Sequence, residues 1–311
     1  MDSLKNKTGL SRKTILVTDS GLGGMSVFAR IAAHLKNNSQ WPDVSMVYFN
    51  AWPEQDKGYN HFKTMGQRAG VFNNALNAME NFKPDMILIA CNTLSVIYPF
   101  TPHSRDKKTM VTGIVDHGVQ LIHKNLMLDP NSRVIIFGTP TTIAEKSHER
   151  GLVKMGIDPK RIINQGCTNL AGKIERDPFS QDVSNMIHSN VFKAVSKIKK
   201  TPDGRVYAAL CCTHFGYCKD LFKTAISGYV KEDVIILNPN KRMADHAILD
   251  YDILSHDKTD TFYPDIDMKV ISRVFWEPER IDAYVRLLKD VSPEVVNALA
   301  AYEWNPNLFE V

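Results

Sequence analysis

The chain has 311 residues, 43% of them hydrophobic, which is enough to bury a core in two domains or in one large domain. Its 38 basic and 34 acidic residues leave a net charge of only +4, a balance that argues against a nucleic-acid or membrane partner. The five cysteines are irregularly spaced, residues 1–13 carry no apolar leader, and no apolar run approaches the ~18 residues that span a bilayer. We therefore expect reduced thiols in a cytoplasmic protein.

Short runs rich in β-branched residues predict a series of strands along the chain. They fall at residues 14–18, 44–49, 85–90, 111–115, 134–137, 161–163, 206–210 and 234–237. Stretches long enough for a helix lie between most of them, for example residues 66–82 and 182–199. This alternation predicts an α/β fold with mainly parallel sheets, in which a ligand binds beyond the carboxyl ends of the strands.

The segments that follow the strands repeat at a nearly constant interval. Ile15 and Val134 open similar strand-and-loop segments 119 residues apart, and Cys91 and Cys212 lie 121 residues apart. The repeat predicts two pseudo-symmetric α/β domains, residues 1–114 plus 239–311 and residues 115–238, with the active site in the cleft between them.

Two cysteine segments at strand ends are the strongest chemical signal. They are Ala90-Cys91-Asn92-Thr93 and Cys211-Cys212-Thr213-His214, and each follows an apolar run. A strand that ends in a thiol and a hydroxyl can hold a base at the rim of a sheet. Two such thiols facing one ligand suit proton transfer between the two faces of a carbon atom.

The first glycine-rich loop, Asp19-Ser20-Gly21-Leu22-Gly23-Gly24, has several interpretations. Its glycines would let the backbone approach a phosphate or a carboxylate closely, and amides at a helix start attract anions. Alternatively, the segment is a turn in which Asp19 or Ser20 caps a helix. Its spacing matches neither the dinucleotide pattern nor the P-loop pattern.

The second cysteine segment also allows a metal interpretation. Cys211, Cys212, His214 and Cys218 are soft ligands within eight residues, but structural zinc sites usually draw a second ligand pair from elsewhere. We expect no metal. Cys211, Cys167 and Cys218 are better explained as small core residues, since neighbours along a strand point to opposite faces.

Four motifs together resemble the aspartate/glutamate racemase family. They are Asp19-Ser20-Gly21-x-Gly23-Gly24, Ala90-Cys91-Asn92-Thr93-x-Ser95, Phe137-Gly138-Thr139-x-x-Thr142 and Cys212-Thr213-His214-Phe215, in the family's order. The resemblance runs from about Ile15 to Ala244 and more faintly through Thr261-Phe262-Tyr263 to Phe275. It implies racemisation without a cofactor, with Cys91 and Cys212 as the two bases and glutamate as the first expected substrate. Such a reaction would supply D-glutamate to the bacterial cell wall.

The resemblance also implies roles for the neighbouring residues. His214 would assist Cys212, and Glu175, eight residues after Cys167, would assist in the same half; otherwise His214 is a satisfied polar residue and Glu175 a surface helix residue. Asp19 would hold the substrate ammonium or move a proton near Cys91. The substrate-binding residues implied are Asp19, Ser20, Gly58, Asn92, Thr93, Thr139, Thr142, Thr213 and His214.

One loop departs from the family. Members that act on glutamate carry a Gly-Asp pair and then a Pro-Tyr-Gly loop, whereas this chain has Asn50-Ala51-Trp52-Pro53-Glu54-Gln55-Asp56-Lys57-Gly58-Tyr59-Asn60. Gly58 takes the place of the last glycine, and Lys57 is either a partner for a substrate carboxylate or simply exposed. Val115-Asp116-His117-Gly118 replaces an acidic-Pro-Gly turn, and Cys211 replaces a glycine.

These departures leave the substrate open. Aspartate, another amino acid or a hydantoin is the alternative, and a non-catalytic small-molecule binding protein on the same fold is the alternative outside enzymes. Residues 292–311, with apolar Val295, Leu299 and Trp304, predict an added amphipathic helix and tail. This segment would pack on the core or on a second subunit, so a homodimer is among the expected assemblies.

Overall fold

The computed structural model describes residues 12–37, 43–106, 108–198, 204–231, 233–254 and 265–311, with the backbone alone at 250–254. Its strands are β1 (Lys13–Asp19), β2 (Val44–Asn50), β3 (Met86–Ile89), β4 (Met110–Gly113), β5 (Arg133–Gly138), β6 (Ile162–Gly166), β7 (Val206–Cys211), β8 (Val234–Leu237), β9 (Ile266–Ser272) and β10 (Glu303–Trp304). The predicted motif Thr261-Phe262-Tyr263 lies outside the described residues.

Helices lie between most of the strands. They are α1 (Met25–Asn37), α2 (Met65–Met79), α3 (Asn92–Ile97), α4 (Ile114–Leu126), α5 (Pro140–Ala144), α6 (Ser147–Lys154), α7 (Leu170–Arg176), α8 (Gln181–Val195), α9 (Lys219–Ser227), α10 (Pro239–Leu254), α11 (Pro278–Leu288) and α12 (Pro293–Ala300). Short 3-10 turns include Tyr59–His61 and Thr213–Cys218. Within the described residues, no helix combines the length and the apolar composition needed to cross a membrane.

The chain divides into two compact units. The first consists of Met1–Ala90, Ile97–Thr112 and Met243–Val311, and the second of Cys91–Val96 and Gly113–Arg242. Cys91 and Cys212 therefore both belong to the second unit, although Cys91 comes two residues after the end of β3 in the first sheet.

Both sheets repeat one strand order. The first runs β10-β9-β2-β1-β3-β4 and the second β6-β5-β7-β8, so four strands in each follow the same second-first-third-fourth sequence. The pairing is parallel between β1 and β2, β1 and β3, β5 and β6, and β5 and β7. The predicted α/β class with two parallel-sheet halves is confirmed.

Burial of the strands explains why their positions could be predicted from apolar runs in the sequence. Residues 15–19, 86–89 and 206–211 are buried at every position, which is typical of a parallel sheet covered on both faces. In the second unit, apolar residues of β5 and β7 pack with α8 and α9, and this core includes Cys167, Cys212 and Phe215.

The predicted strand at residues 111–115 is too long at its end. β4 stops at Gly113, and Ile114 begins α4. The Ser95 hydroxyl accepts the amide hydrogen of Val115 at 3.3 Å, satisfying a donor in the first turn of α4. A side chain on Gly113 would collide with this serine. Ser95 of the second motif therefore has a structural role.

The C-terminal part of the first unit contains two strands that the sequence patterns did not reveal. β9 pairs with β2, and the short β10 pairs with β9. Polar Asp267 and Lys269 interrupt the apolar run of β9, and for this reason the apolar pattern did not predict this strand. The amphipathic helix and tail predicted at residues 292–311 consist of α12 (Pro293–Ala300), in which Val295 and Leu299 are buried, and of a tail that contains β10. Trp304 lies in β10 and is 55% exposed.

Candidate active site

A buried asparagine joins the two loops at the carboxyl end of the first sheet. Asn50 ends β2 beside Asp19, its register partner on β1. Its Nδ2 donates to the Gly21 carbonyl at 2.9 Å, and its Oδ1 accepts the Trp52 amide hydrogen at 3.2 Å. The Tyr48 hydroxyl also donates to the Gly21 carbonyl, at 2.7 Å. Asn50 was not among the predicted site residues, and the signal that could have found it is the replacement of the family's Gly-Asp pair.

The glycine-rich loop places Asp19 against its last glycine. Asp19 is buried at the end of β1, and a Cβ added to Gly24 would lie 2.9 Å from the Asp19 carboxylate. Because α1 begins at Met25, Gly24 and not Asp19 or Ser20 is the residue that precedes the helix. Gly24 is therefore needed for the close approach of a carboxylate to the loop backbone.

Cys91 lies at the start of α3. Its Sγ accepts the amide hydrogen of Leu94 at 3.5 Å, and its carbonyl accepts that of Ser95. Amide donors in the first turn of a helix stabilise negative charge on a sulfur atom. Cys91 is buried, with 6% of its surface exposed.

Asn92 carries unused hydrogen-bonding capacity. The residue is 2% exposed, and neither its Oδ1 nor its Nδ2 has a hydrogen-bond partner among the described residues. Leaving such a group unpaired in the interior costs free energy. A ligand that pairs with both atoms would recover this cost, so Asn92 is suited to bind a carboxylate or an amino group.

Three threonine hydroxyls form a buried cluster in the second unit. The Oγ1 atoms of Thr93 and Thr139 lie 3.0 Å apart, those of Thr139 and Thr142 also lie 3.0 Å apart, and those of Thr93 and Thr142 lie 3.5 Å apart. Thr139 additionally caps α5 by accepting the amide hydrogen of Thr142. The structure thus brings together three predicted substrate-binding residues from two separate motifs.

Cys212 lies beside a histidine and a glutamate. The Sγ of Cys212 is 3.8 Å from the Nδ1 of His214, and the Nε2 of His214 is 2.6 Å from the Oε2 of Glu175. Because a carboxylate only accepts, Nε2 carries the proton of the shorter contact. Glu175 is buried in α7, so it is not a surface helix residue.

Hydrogen bonds and neighbouring negative charges shift the pKa of His214, the central residue of this trio. Burial by itself lowers the pKa of His214, but hydrogen bonds with Cys212 and Glu175 and their negative charges raise that pKa well above 6.5. An imidazolium at this position can donate its Nδ1 proton toward Cys212 and its Nε2 proton to Glu175. His214 is thus built to exchange a proton with the thiol.

The other cysteines of this region are unsuited to act as bases. Burial, followed by the charge of Cys212, raises the pKa of Cys167 and of Cys211, and burial raises the pKa of Cys218 to about 12. These thiols stay protonated at neutral pH. Within the part of the chain that the structure describes, no group of three or more His, Cys, Asp or Glu side chains could hold a metal ion.

Asn240 supports the second cysteine segment. Its Nδ2 donates to the Thr213 carbonyl at 3.0 Å, and its backbone amide donates to Asn238 Oδ1. Thr213 itself is buried next to His214. Asn240 was missed in the sequence because it follows an unrelated strand, β8.

Residues 52–60, the part of the chain that departs from the family and that we call the divergent loop, are organised around Trp52. A Cβ on Gly58 would lie 2.5 Å from the Trp52 ring, so Gly58 provides room for the indole. Lys57 is exposed and forms an ion pair with Glu54 at 3.2 Å. In this structure Gly58 packs against a side chain of its own loop, and Lys57 has an acidic partner within the loop.

Comparisons with known proteins agree with the motifs. A glutamate racemase of Nitratiruptor sp. is 24% identical over 246 residues, which cover 78% of this chain and 86% of that protein. A glutamate racemase of Campylobacter jejuni is 27% identical over 208 residues, covering 64% of this chain and 72% of that protein. The crystal structure of glutamate racemase from Francisella tularensis with D-glutamate gives a TM-score of 0.67 at 18% identity, covering 89% of this chain and 94% of that one. No protein-family model matches the chain.

The fold and the two Cys-Thr segments thus define a protein similar to the aspartate/glutamate racemases, and the predicted resemblance to that family is confirmed. Within the family, the relatives compared above are glutamate racemases.

Proposed function

We propose that this chain is an amino-acid racemase that interconverts L- and D-glutamate by proton transfer between two cysteines and the α-carbon. The observation that carries the proposal is the pair of thiols, Cys91 and Cys212, each at the carboxyl end of a buried strand with its own charge-stabilising partners. The similarity to glutamate racemases supports the choice of reaction and of first substrate.

The reaction requires two groups in opposite protonation states. One cysteine, as a thiolate, takes the α-hydrogen from one face, and the other, as a thiol, gives a proton to the opposite face. The products are the other enantiomer, one new thiol and one new thiolate. Because the α-hydrogen is weakly acidic, most of the catalysis must come from positioned bases and from stabilisation of the developing carbanion.

His214 and Glu175 would prepare Cys212 for its part. With Glu175 accepting from Nε2, His214 keeps its Nδ1 directed at the thiol, and it can supply or receive a proton there. For Cys91, the Leu94 amide at the start of α3 would stabilise the thiolate. Asp19, at the end of β1, would hold the substrate ammonium or exchange a proton with Cys91.

The substrate would be bound by polar groups from four strand ends. Asn92 has two unused polar atoms, and the hydroxyls of Thr93, Thr139 and Thr142 form a compact donor cluster. We assign these residues, with Ser20 and Thr213, to the α-carboxylate and ammonium groups. His214 would also face the substrate.

The side-chain subsite, meaning the residues that would contact the side chain of the substrate, is where this chain differs most from the family. Gly58 belongs to the divergent loop, where the glycine makes room for Trp52. This difference keeps aspartate, another amino acid or a hydantoin among the substrates to be tested. A non-catalytic binding protein on the same fold is the alternative that a complete absence of exchange would favour.

Solvent exchange tests the reaction directly. The chain is incubated in deuterated water with each enantiomer of glutamate, aspartate, alanine and serine and with hydantoins, and α-deuteration is followed by mass spectrometry. We expect exchange and racemisation with glutamate, and a loss of at least about 100-fold in Cys91→Ala and in Cys212→Ala. Cys218→Ala, which removes another buried thiol, is the matched control and should retain activity. Full racemisation by either catalytic variant would contradict the two-base mechanism.

The cellular setting follows from the same proposal. Five free cysteines suit a reducing cytoplasm, and D-glutamate formed there would serve cell-wall synthesis. A homodimer stays a prediction, which light scattering of the purified chain checks.

A further inference from the structure

One arginine connects the C-terminal end of the chain to the divergent loop. Arg273 follows β9, and its Nε donates to the Pro53 carbonyl at 2.8 Å. Its Nη1 donates to the Pro306 carbonyl at 2.6 Å and to the Phe309 carbonyl. The guanidinium also lies over the Phe309 ring, 5.5 Å from its centroid. We call residues 303–311 the tail.

A glutamine makes a second connection between the divergent loop and the same post-β9 segment. Gln55 Nε2 donates to the Phe275 carbonyl at 2.9 Å, and Gln55 Oε1 accepts the Phe275 amide hydrogen at 2.9 Å. The side-chain amide of Gln55 thus forms with the Phe275 backbone the same pair of hydrogen bonds that a residue of a neighbouring strand would form. Together, Arg273 and Gln55 fasten the first arm and the tip of the loop's turn to residues 273–275.

The tail is itself well anchored. β10 pairs with β9, the Asn305 amide donates to the Ser272 carbonyl at 2.8 Å, and Trp304 Nε1 donates to the Arg273 carbonyl at 3.2 Å. Phe309 is buried and packs against Phe49 of β2 with 6.0 Å between ring centroids. The tail is therefore a fixed support to which Arg273 can tie a loop.

The divergent loop depends on such side-chain contacts. Before the 3-10 turn Tyr59–His61 it contains no helix or strand, apart from an isolated bridge between Glu54 and Lys57. At its start the Trp52 amide donates to Asn50, the same residue that holds the glycine-rich loop. A shift at Pro53 would therefore act on the segment directly next to that network.

We propose that Arg273 is a positioning residue: it joins the tail to the divergent loop and so fixes the side-chain subsite of the substrate. This inference rests on the proposed function, in which the loop contacts the substrate. Arginine suits the task because its planar, permanently charged group donates to several carbonyls at fixed angles, whereas lysine cannot reproduce that geometry. The added tail thus acts as the support for a loop that has lost the family's Pro-Tyr-Gly sequence.

Hydrogen–deuterium exchange of Arg273→Gln tests the connection without using activity. We expect backbone amides of residues 52–60 to exchange about tenfold faster, the effect of losing one hydrogen bond to a charged group. Peptides from β7 should be unchanged. Arg273→Lys should show a smaller effect, and a chain ending at Asn305, which lacks both tail carbonyls, should change in the same direction. Glu303→Gln, which breaks the exposed tail ion pair with Lys269, is the control expected to leave the loop unchanged.

Steady-state kinetics then test the consequence for the substrate. A positioning role predicts that KM for glutamate rises about tenfold in Arg273→Gln while kcat changes less than about threefold. Unchanged loop exchange in this variant would overturn the connection, whatever the activity. Faster loop exchange with an unchanged KM, or a fall in kcat alone, would overturn the positioning role. A wild-type chain that racemises no amino acid would refute the proposed function, and the exchange result would still decide the connection.

Discussion

The Nε2 of His214 and the Oε2 of Glu175 lie 2.6 Å apart in the interior of the second unit. They come from different elements, since Glu175 is in α7 and His214 is in the turn after β7. Their contact fixes which imidazole nitrogen faces Cys212 and, together with the hydrogen bond to Cys212, raises the pKa of the histidine. The pair therefore controls both the orientation and the charge of the group next to the second thiol.

Glu175→Gln should disturb this control while keeping the size of the side chain. Loss of the carboxylate removes stabilisation of the imidazolium, so the pKa of His214 should fall toward its ordinary range. Racemisation should fall about 100-fold, the lower part of the range for a positioned acid–base group. NMR titration of His214 measures the first effect and polarimetry the second.

The control for this substitution is Asp182→Asn. Asp182 is an exposed acid in α8 that pairs with Lys173 of α7, so the variant loses one carboxylate close to the same helix. We expect normal activity. A His214 pKa that stays high in Glu175→Gln would show that the carboxylate does not hold the charge.

Asn92→Leu should weaken the binding of the substrate without lowering the stability of the fold. Because both polar atoms of Asn92 lack partners among the described residues, replacing the amide by an apolar group of similar size should not weaken the fold. We expect an unchanged or higher melting temperature together with a loss of at least about tenfold in kcat/KM. Thermal unfolding and racemisation assays on one preparation check both.

Asn190→Leu is the comparison. This amide is also buried, but its Nδ2 donates to the Met186 carbonyl at 2.8 Å and its Oδ1 accepts from Gln165 at 3.3 Å. We expect it to lose about 1–3 kcal/mol of unfolding free energy. If Asn92→Leu destabilised the chain equally, Asn92 would be a structural residue.

Gly58→Ala should show what the divergent loop requires. The new methyl group would collide with the Trp52 ring, and displacing the indole should cost about 1–3 kcal/mol. Urea unfolding and the tryptophan emission spectrum measure the change. Adding Trp52→Leu should recover most of the loss, because the smaller side chain frees the space.

Gly70→Ala provides the matched control. Gly70 lies in α2, where an added Cβ meets nothing within 4 Å, so alanine should stabilise the chain by about 0.5–1 kcal/mol. Equal stability of Gly58→Ala and wild type would mean that the indole is not held against Gly58.

The strand ends were predictable because buried parallel strands leave continuous apolar runs. Cys91 and Cys212 could be selected on that ground, whereas the threonines could be selected through the resemblance to the racemase family. The roles of Asn240 and Arg273 could not be predicted, because each acts through hydrogen bonds to segments far away in the chain; Arg273 and Pro53 are 220 residues apart. No local pattern marks such a contact. The strand β10, which follows the helix that ends at Ala300, is likewise formed by a tertiary contact, its pairing with β9.

A second buried histidine should make the fold sensitive to acid. His148 in α6 is 2% exposed, its Nε2 has no partner among the described residues, and burial lowers its pKa to about 4 from 6.5. The unfolded chain therefore binds this proton more readily than the folded chain. Stability from this group is complete above about pH 6.5 and is lost as the pH falls toward 4, by about 3 kcal/mol in total. Denaturant titrations of His148→Leu between pH 7 and 4 should show a correspondingly weaker loss than wild type, while His188→Asn, on the exposed side of α8, should follow wild type. An identical acid limb in His148→Leu would assign the acid sensitivity to other groups.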